Sequence, residues 1–420
     1  MFDLKQTLPQ DLNIEAYNYR CYLPSVGAKL NGEGEFSIDI YPSGDYFQLA
    51  ESFILFQGSI RKTVETPISA TDEITFANGG PLHCFRLLSY SLNGTALESL
   101  YNPGVAVLLK TLATNHVDNS ILNCFEKDTN ASLDIEKNSG FLTRFNYVTK
   151  KPVPPGSFSI LIPLKQIFAF VEDFHKVLMG VRQTIKFVRR NDQDALCRNN
   201  NKFKTDCIVN FTKVALFQPL LRPSDANRAK LLSFLKSKER FPVRFHENSL
   251  ETFVLPQVQE ATLNLGVRTS RPRFLLIALQ TDRHDDQTKN PAVFDSVKIR
   301  NIYATLNNQR FPELDYQIDF AQFQFARPYY DFSKFFNKYY MIESEVARPL
   351  LTPPEYQSLF PIFCVDMSRQ FDHVTEPCLQ MTLKLFFGDK IPPDTLLQVL
   401  IISERFLFLE ASGESFNIVY

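Results

Sequence analysis

The feature that most constrains the fold is a period of two. Residues 35–41, Glu-Phe-Ser-Ile-Asp-Ile-Tyr, place Phe36, Ile38 and Ile40 on one side and Ser37 and Asp39 on the other, as a strand with one buried face requires. The alternation returns near the end, where Leu379, Met381, Leu383, Leu385 and Phe387 oppose Thr382 and Lys384. Between these lie further strand candidates over 46–62, 85–92, 158–164, 181–188, 207–217, 260–268, 273–280 and 297–306. Segments 46–62 and 273–280 are apolar on both faces, as expected of strands inside a sandwich. The 39 Phe and 16 Tyr suit pleated, half-buried strands, and the 25 Pro punctuate loops, so the expected class is all-β.

A single hydrophobic core seldom grows past about 250 residues, so 420 residues imply two domains. The period changes after Arg222: Ser224 is a helix-cap candidate, and Leu231, Leu232 and Leu235 follow at helical spacing, which predicts a short joining helix between two β-rich halves. A faint internal echo fits that division. Tyr90-Ser-Leu-Asn-Gly-Thr in the first half and Tyr303-Ala-Thr-Leu-Asn-Asn-Gln in the second each end a strand in an Asn-centred hairpin signal.

Forty-five Lys and Arg nearly cancel 46 Asp and Glu, leaving no global field to gather a polyanion. This argues against a protein that coats a genome. Seven cysteines without a C-x-x-C, the closest pair being Cys197 and Cys207, suit a reduced setting rather than a disulfide framework or zinc site. The first residues show no basic region followed by an apolar run, so no secretory signal is read there. The apolar tail segment 396–409 is interrupted by Ser403, Glu404 and Arg405, too early to span a bilayer. Glycosylation-type triplets at Asn93, Asn130 and Asn210 carry little weight without a signal.

No phosphate loop, dinucleotide fingerprint, zinc-protease motif or nucleophile elbow occurs, and the six histidines are scattered. The expectation is a protein without catalysis, metal or cofactor. Three constellations remain. Asp282-Arg-His-Asp-Asp286 offers ligands to a divalent cation, but Arg283 inside it repels one, and a solvated loop is the favoured alternative. Arg182, Lys186 and Arg190 share a strand face that suits phosphates; salt-bridge partners on a solvated face are favoured. Between Phe320 and Tyr340 stand ten aromatic residues, of which Tyr329, Phe332, Phe336 and Tyr339 follow helical spacing. Core packing is favoured for them, and a subunit interface at Tyr329, Phe332, Phe336 and Tyr340 is the competing expectation.

Residues 205–410 resemble the double jelly-roll major capsid proteins of Maverick or Polinton-like (adintovirus-type) DNA viruses and their endogenised relatives. The resemblance is carried, in order, by Pro223-Ser224, Phe241-Pro-Val-Arg244, Arg271-Pro-Arg-Phe-Leu275, Lys289-Asn-Pro291 with Phe294, Tyr303 with Asn307-Asn308, Pro312, Tyr329-Tyr330 and Pro361-Ile-Phe-Cys-Val-Asp366. Gly44-Asp-Tyr46, Leu49 and Leu92-Asn-Gly94 extend it loosely into the first half. Residues 1–20 and 115–155 match nothing in the family pattern and are expected to be an arm and an inserted loop. The resemblance implies two tandem antiparallel jelly-roll sandwiches with short joining and inserted helices: an N-terminal arm over 1–20, jelly rolls over 21–222 and 240–420, and a joining helix over 223–239. It also implies homotrimers forming pseudo-hexagonal capsomers of an icosahedral shell. Neighbouring capsomers and penton or minor capsid proteins are the expected partners, without sequence-specific nucleic-acid binding or a transmembrane segment. The expected location is the virion, after assembly in the host cytoplasm or nucleus. The competitors are a β-sandwich binding module for a receptor or carbohydrate, which the lack of Trp disfavours, and a hydrolase on a jelly-roll scaffold, which needs clustered histidines or paired carboxylates.

Overall fold

A computed structural model of the chain describes residues 14–42, 44–64, 66–114, 124–236, 240–266, 271–307, 309–343, 350–369, 380–412 and 415–419. Residues 1–13 of the expected arm, 237–239 of the joint, 267–268, Asn308, Leu379 and Cys378 lie outside the described residues.

The first half contributes β1 (Ile14–Tyr22), β2 (Glu35–Ile40), β3 (Tyr46–Gln48), β4 (Phe53–Lys62), β5 (Ile74–Phe76), β6 (Phe85–Leu92), β7 (Thr95–Tyr101), β8 (Ser157–Pro163), β9 (Val177–Met179), β10 (Gln183–Arg189), β11 (Leu196–Arg198) and β12 (Cys207–Pro223). The second contributes β13 (Arg240–Val254), β14 (Glu260–Leu265), β15 (Arg271–Thr281), β16 (Ile299–Leu306), β17 (Gln309–Phe311), β18 (Phe363–Asp366), β19 (Met381–Phe387), β20 (Thr395–Ser412) and β21 (Ser415–Val419).

In the first half one sheet places β12 between β1 and β4, with β8 beyond β4 and β3 continuing the β4 edge; the other runs β2-β10-β6-β7. In the second the sheets run β13-β20-β15-β18 and β14-β19-β16-β17. With β3 and β4 taken as one interrupted strand, and the short β5, β9 and β11 and the terminal β21 left aside, both halves have the same order of eight strands. The first, eighth, third and sixth strands make one sheet, and the second, seventh, fourth and fifth make the other. That is the jelly-roll order, present twice.

The alternating sequences fall where this order needs them. Phe36, Ile38 and Ile40 of β2 face inward, as do Met381, Leu383, Leu385 and Phe387 of β19. The echo noted in the sequence is the same turn in both halves, the two-residue link between the fourth and fifth strands. Leu92 pairs with Thr95 across Asn93 (φ 48°) and Gly94 (φ 81°), and Leu306 pairs with Gln309 after Asn307 (φ 47°). Positive φ at a hairpin turn favours Asn and Gly.

Helices occupy the connections. α1 (Pro103–Thr114), α2 (Ser139–Phe145), α3 (Leu164–Ile167) and α4 (Ala169–Asp173) belong to the first half. α5 (Asp225–Lys236) joins the halves, its Arg228 N–H donating to the Ser224 carbonyl at 2.8 Å. α6 (Ala326–Tyr339) and α7 (Pro353–Ser358) lie in the second. α1 and α6 both occupy the connection between the fifth and sixth strands of their half.

One expectation is corrected. From Ile14 on, the supposed arm is a strand, because its backbone pairs with the free edge of β12 from Pro223 to Leu216. The described part of the expected inserted loop, from residue 124, is packed and includes α2. Arg144 is buried there and donates to the carbonyls of Phe76 (3.1 Å) and Glu126 and to Asp128 (2.6 Å), while Asn138 caps α2 by accepting from the Phe141 N–H at 3.1 Å.

The phenylalanines form the first core. Phe36 stacks on Phe187 at 4.8 Å, Phe85 lies against Phe56, Phe187 and Phe211, and the Arg189 guanidinium covers Phe85 and Phe211 at 5.6 and 4.8 Å. Phe85 is fully buried. Phe85→Ala is expected to cost about 3–5 kcal/mol, read as a lower urea midpoint by circular dichroism; a loss below about 1 kcal/mol would contradict this packing.

Candidate functional site

The chemistry-bearing side chains gather where the two sandwiches meet. Each half brings charged groups into an apolar setting there, and these bond both within their own half and across the seam. Glu98 of β7 is fully buried, and its two oxygens accept from the backbone N–H groups of Phe170 (3.3 Å) in the first half and Asn248 (3.1 Å) in the second. Arg405 of β20 donates to the Leu97 carbonyl at 2.6 Å and to Glu247 at 3.2 Å. Lys110 on the inner face of α1 pairs with Glu172, which also accepts from the hydroxyls of Tyr339 (2.9 Å) and Tyr340 (2.6 Å) at the end of α6. Asp173 accepts from both the backbone N–H (2.6 Å) and the ring Nδ1 (2.9 Å) of His246 on β13. Phe170 meets Phe245 edge-on at 5.0 Å between these polar pairs.

Burial is the strongest influence on Glu98 and pushes its carboxyl from 4.5 up to about 8, although the Lys110 charge and the two N–H donors pull the other way. Burial also acts to raise Glu172. There the Lys110 ammonium and the tyrosine hydroxyls prevail, so Glu172 is held below the ordinary value.

The 282–294 loop forms a second stretch of the seam. Gln287 accepts from the Cys207 N–H at 2.9 Å and donates to its carbonyl at 2.7 Å, the Asp285 N–H donates to Asp194 at 2.6 Å, and Asn290 donates to Asp128 at 3.0 Å. The 282–286 cluster is therefore not a simple solvated loop. Its Arg283 is held by Asp295 at 2.8 Å and its Asp282 by Lys289, and the loop docks one sandwich on the other. Among the described residues no group of three or more His, Cys, Asp and Glu is placed to hold a metal ion.

The basic stripe is neutralised residue by residue: Arg182 with Asp39 at 2.9 Å, Lys186 with Glu35 at 2.8 Å, and Arg190 with Asp194 at 2.5 Å. In the aromatic segment, α6 forms as its spacing predicts; of the four residues named as a competing subunit interface, Phe332 is buried and Tyr329, Phe336 and Tyr340 are half-buried. Phe332 is buried, packs on Tyr356 and has no surface to offer a neighbour. The Tyr329 hydroxyl donates to the Leu351 carbonyl at 3.0 Å, the Tyr340 hydroxyl serves Glu172, and Phe336 packs on Tyr340. Helical phase is the reason: positions three and four apart share the core-facing stripe, and Tyr330, one step round the helix, is 59% exposed.

The sequence reading missed Glu98, Lys110 and Glu172. A signal was present in two of them, a lone charge inside an apolar run: Glu98 within Ala-Leu-Glu-Ser-Leu and Lys110 within Val-Leu-Leu-Lys-Thr-Leu. A charge in such a place requires a specific partner.

Because the folded-state pKa of Glu98 lies above its unfolded value, its stabilising contribution is complete below pH about 4.5 and is lost as pH rises through about 8. Stability is expected to fall across that window in the native chain and to fall less in Glu98→Gln, measured as urea midpoints at a series of pH values. Equal slopes for the two proteins would contradict the assignment.

Comparison with curated proteins gives no match. Solved structures share the fold at low identity. The Sputnik virophage structure by cryo-EM is 13% identical with a TM-score of 0.57, covering 99% of this chain and 91% of that one. VP54 of PBCV-1, fitted into a Sputnik reconstruction, is 11% identical with a TM-score of 0.57 and 99% of both chains covered. The mavirus major capsid protein is 11% identical with a TM-score of 0.53, covering 100% and 93%. The family described as "Double jelly roll-like domain" matches residues 76–407. That span runs from the fully buried Phe76 of the first sandwich to the closing strand of the second, and with the strand order repeated in both halves it establishes that the chain belongs to the double jelly roll-like domain family.

Proposed function

We propose that this chain is a viral major capsid protein, a structural and non-enzymatic subunit of the Maverick or Polinton-like (adintovirus-type) kind. Three copies associate into a pseudo-hexagonal capsomer, and capsomers tile an icosahedral shell of a DNA virus together with penton or minor capsid proteins. The subunit resides in the virion and is assembled in the host cytoplasm or nucleus. One observation carries this reading: the same eight-strand order occurs twice in one chain, so a ring of three copies presents six similar sandwiches, a near-hexagon built from a trimer. The PBCV-1 capsid and the Faustovirus and mavirus major capsid proteins share this fold, which supports the same reading. Closed sandwiches expose few strand edges, and the loops at their ends vary without disturbing the cores.

The domains under this proposal are one jelly roll from residue 14 to 222, a joint over 223–239 and a second jelly roll from 240. Tyr330 and the exposed edge strand β1, with Tyr17 and Tyr19 at 43% and 48% exposure, replace Phe332 as candidate subunit contacts. No sequence-specific nucleic-acid contact is included, in keeping with the paired state of Arg182, Lys186 and Arg190.

Size-exclusion chromatography with light scattering is expected to give three times the 48.3 kDa chain mass, with hexagonal particles in negative stain. A monodisperse monomer across salt and concentration, forming no particles, would overturn the proposal.

A further inference from the structure

The chain is close to neutral as a whole, but its charge is not evenly spread. The described residues from Arg222 to Arg244 carry six Lys or Arg and one carboxylate, Asp225, in a chain of net charge −1. This stretch runs from the end of β12 through α5 into β13, the joint between the sandwiches. Arg222 pairs with Glu15 at 3.2 Å and Arg240 with Glu410 at 3.2 Å, and both pairs are open to water, where an ion pair holds weakly. Arg228, Lys230 and Lys236 on α5 are exposed and join no ion pair among the described residues.

β13 carries the charge onto the outer face of its sheet. Arg240, Arg244 and His246 point away from the core, because Val243 and Phe245 between them are buried. The Arg244 side chain is 72% exposed and reaches Glu404 only at 3.9 Å. That carboxylate is shared: Arg273 donates to it at 2.9 Å, and Arg271 lies opposite it across the β15–β20 pair. Lys176 adds an exposed cation from the first sandwich, 5.9 Å from the ring of Phe241. Among these cations stands Phe406, 43% exposed, with the Arg244 guanidinium 6.0 Å from its ring and Phe408 edge-on at 4.7 Å. α5 packs against β20, and Lys236 lies four residues from Arg240, a reach of at most about 14 Å, so the helix and the sheet face adjoin.

We propose that this surface binds nucleic acid through its phosphates, without reading base sequence. Cations in excess of their carboxylates on one surface attract a polyanion, and the guanidiniums of Arg228, Arg240 and Arg244 present forked N–H donors that match phosphate oxygens. An anionic bilayer meets the same charge. Two features favour nucleic acid. The exposed ring of Phe406 gives an unpaired base a stacking partner beside the Arg244 guanidinium. A helix that holds a bilayer buries its apolar face in lipid, whereas α5 packs Leu231 and Leu232 against the protein core. The binding is a property of the single chain and goes beyond the proposed capsid role without resting on it, so either fails independently of the other.

The test is fluorescence anisotropy of the full chain with two labelled single-stranded oligodeoxynucleotides of unrelated sequence over a series of salt concentrations, beside flotation with vesicles containing phosphatidylserine. The two oligonucleotides are expected to bind alike, with an affinity that falls steeply as salt rises. Lys230→Glu and Arg244→Glu are each expected to weaken binding about tenfold and to flatten the salt dependence. Arg182→Ala, in the stripe whose cations each hold a carboxylate, leaves binding unchanged. Circular dichroism of each variant confirms that it folds. Absence of oligonucleotide binding, an affinity independent of salt, or binding to the vesicles alone would each overturn the inference. So would charge-reversed variants that change the oligomeric state by light scattering yet bind the oligonucleotides as the native chain does.

Discussion

The structure depends on the pairing of each sandwich's last strand with its first and third. β12 lies between β1 and β4, and β20 between β13 and β15. β1 begins at residue 14 and the strand it pairs with ends at 223, so the sheet closes only when nearly the whole half has been made. Contacts of such sequence separation carry a loop-closure cost that local structure does not offset. The same closure makes each half complete in itself, which is why the chain can carry the pattern twice and join the copies with one short helix.

Two complete sandwiches do not by themselves define an arrangement. The seam does, through groups that are satisfied in one docking only. Glu98 accepts from one N–H in each half, Lys110 reaches Glu172 beside the tyrosines of α6, and Gln287 holds both backbone groups of Cys207. Buried ion pairs add little net stability over apolar packing, yet losing one partner is costly. A shifted docking would take the Asn248 N–H from Glu98, the tyrosine hydroxyls from Glu172 and the Cys207 backbone from Gln287, so the polar seam selects one relative placement while Phe170 and Phe245 supply the apolar contact.

Much of this was legible in the sequence. Alternation located β2, β6, β16 and β19, the helical phase located α5 and α6, and the two Asn-centred turns marked equivalent hairpins. Single-face patterns report which side of a strand is buried, and that suffices for the all-β class. They do not report what a side chain meets. For Phe332 core packing was favoured but a subunit contact stayed open, because an aromatic stripe looks the same whether it covers its own core or a neighbour's. Asp282 to Asp286 read as a solvated loop because Asp194, the partner of Asp285, and Cys207, the partner of the adjoining Gln287, lie some eighty residues or more away. The start of β1 was placed in an arm because residues 1–20 match nothing in the family pattern, and its Tyr17, Tyr19 and Cys21, all exposed, give the strand no buried face to betray it.

Under the proposed function, a chain with two similar sandwiches fixed at one seam would present a near-hexagonal outline from three copies. The measurement that tests this most directly is a cryo-EM reconstruction of the expressed protein. The account predicts six sandwich densities around a threefold axis, alternating between the β1–β12 and β13–β21 halves, with Glu98 enclosed at the seam within each subunit. A reconstruction in which the two halves of one chain separate, or in which sandwiches exchange strands between chains, would contradict it.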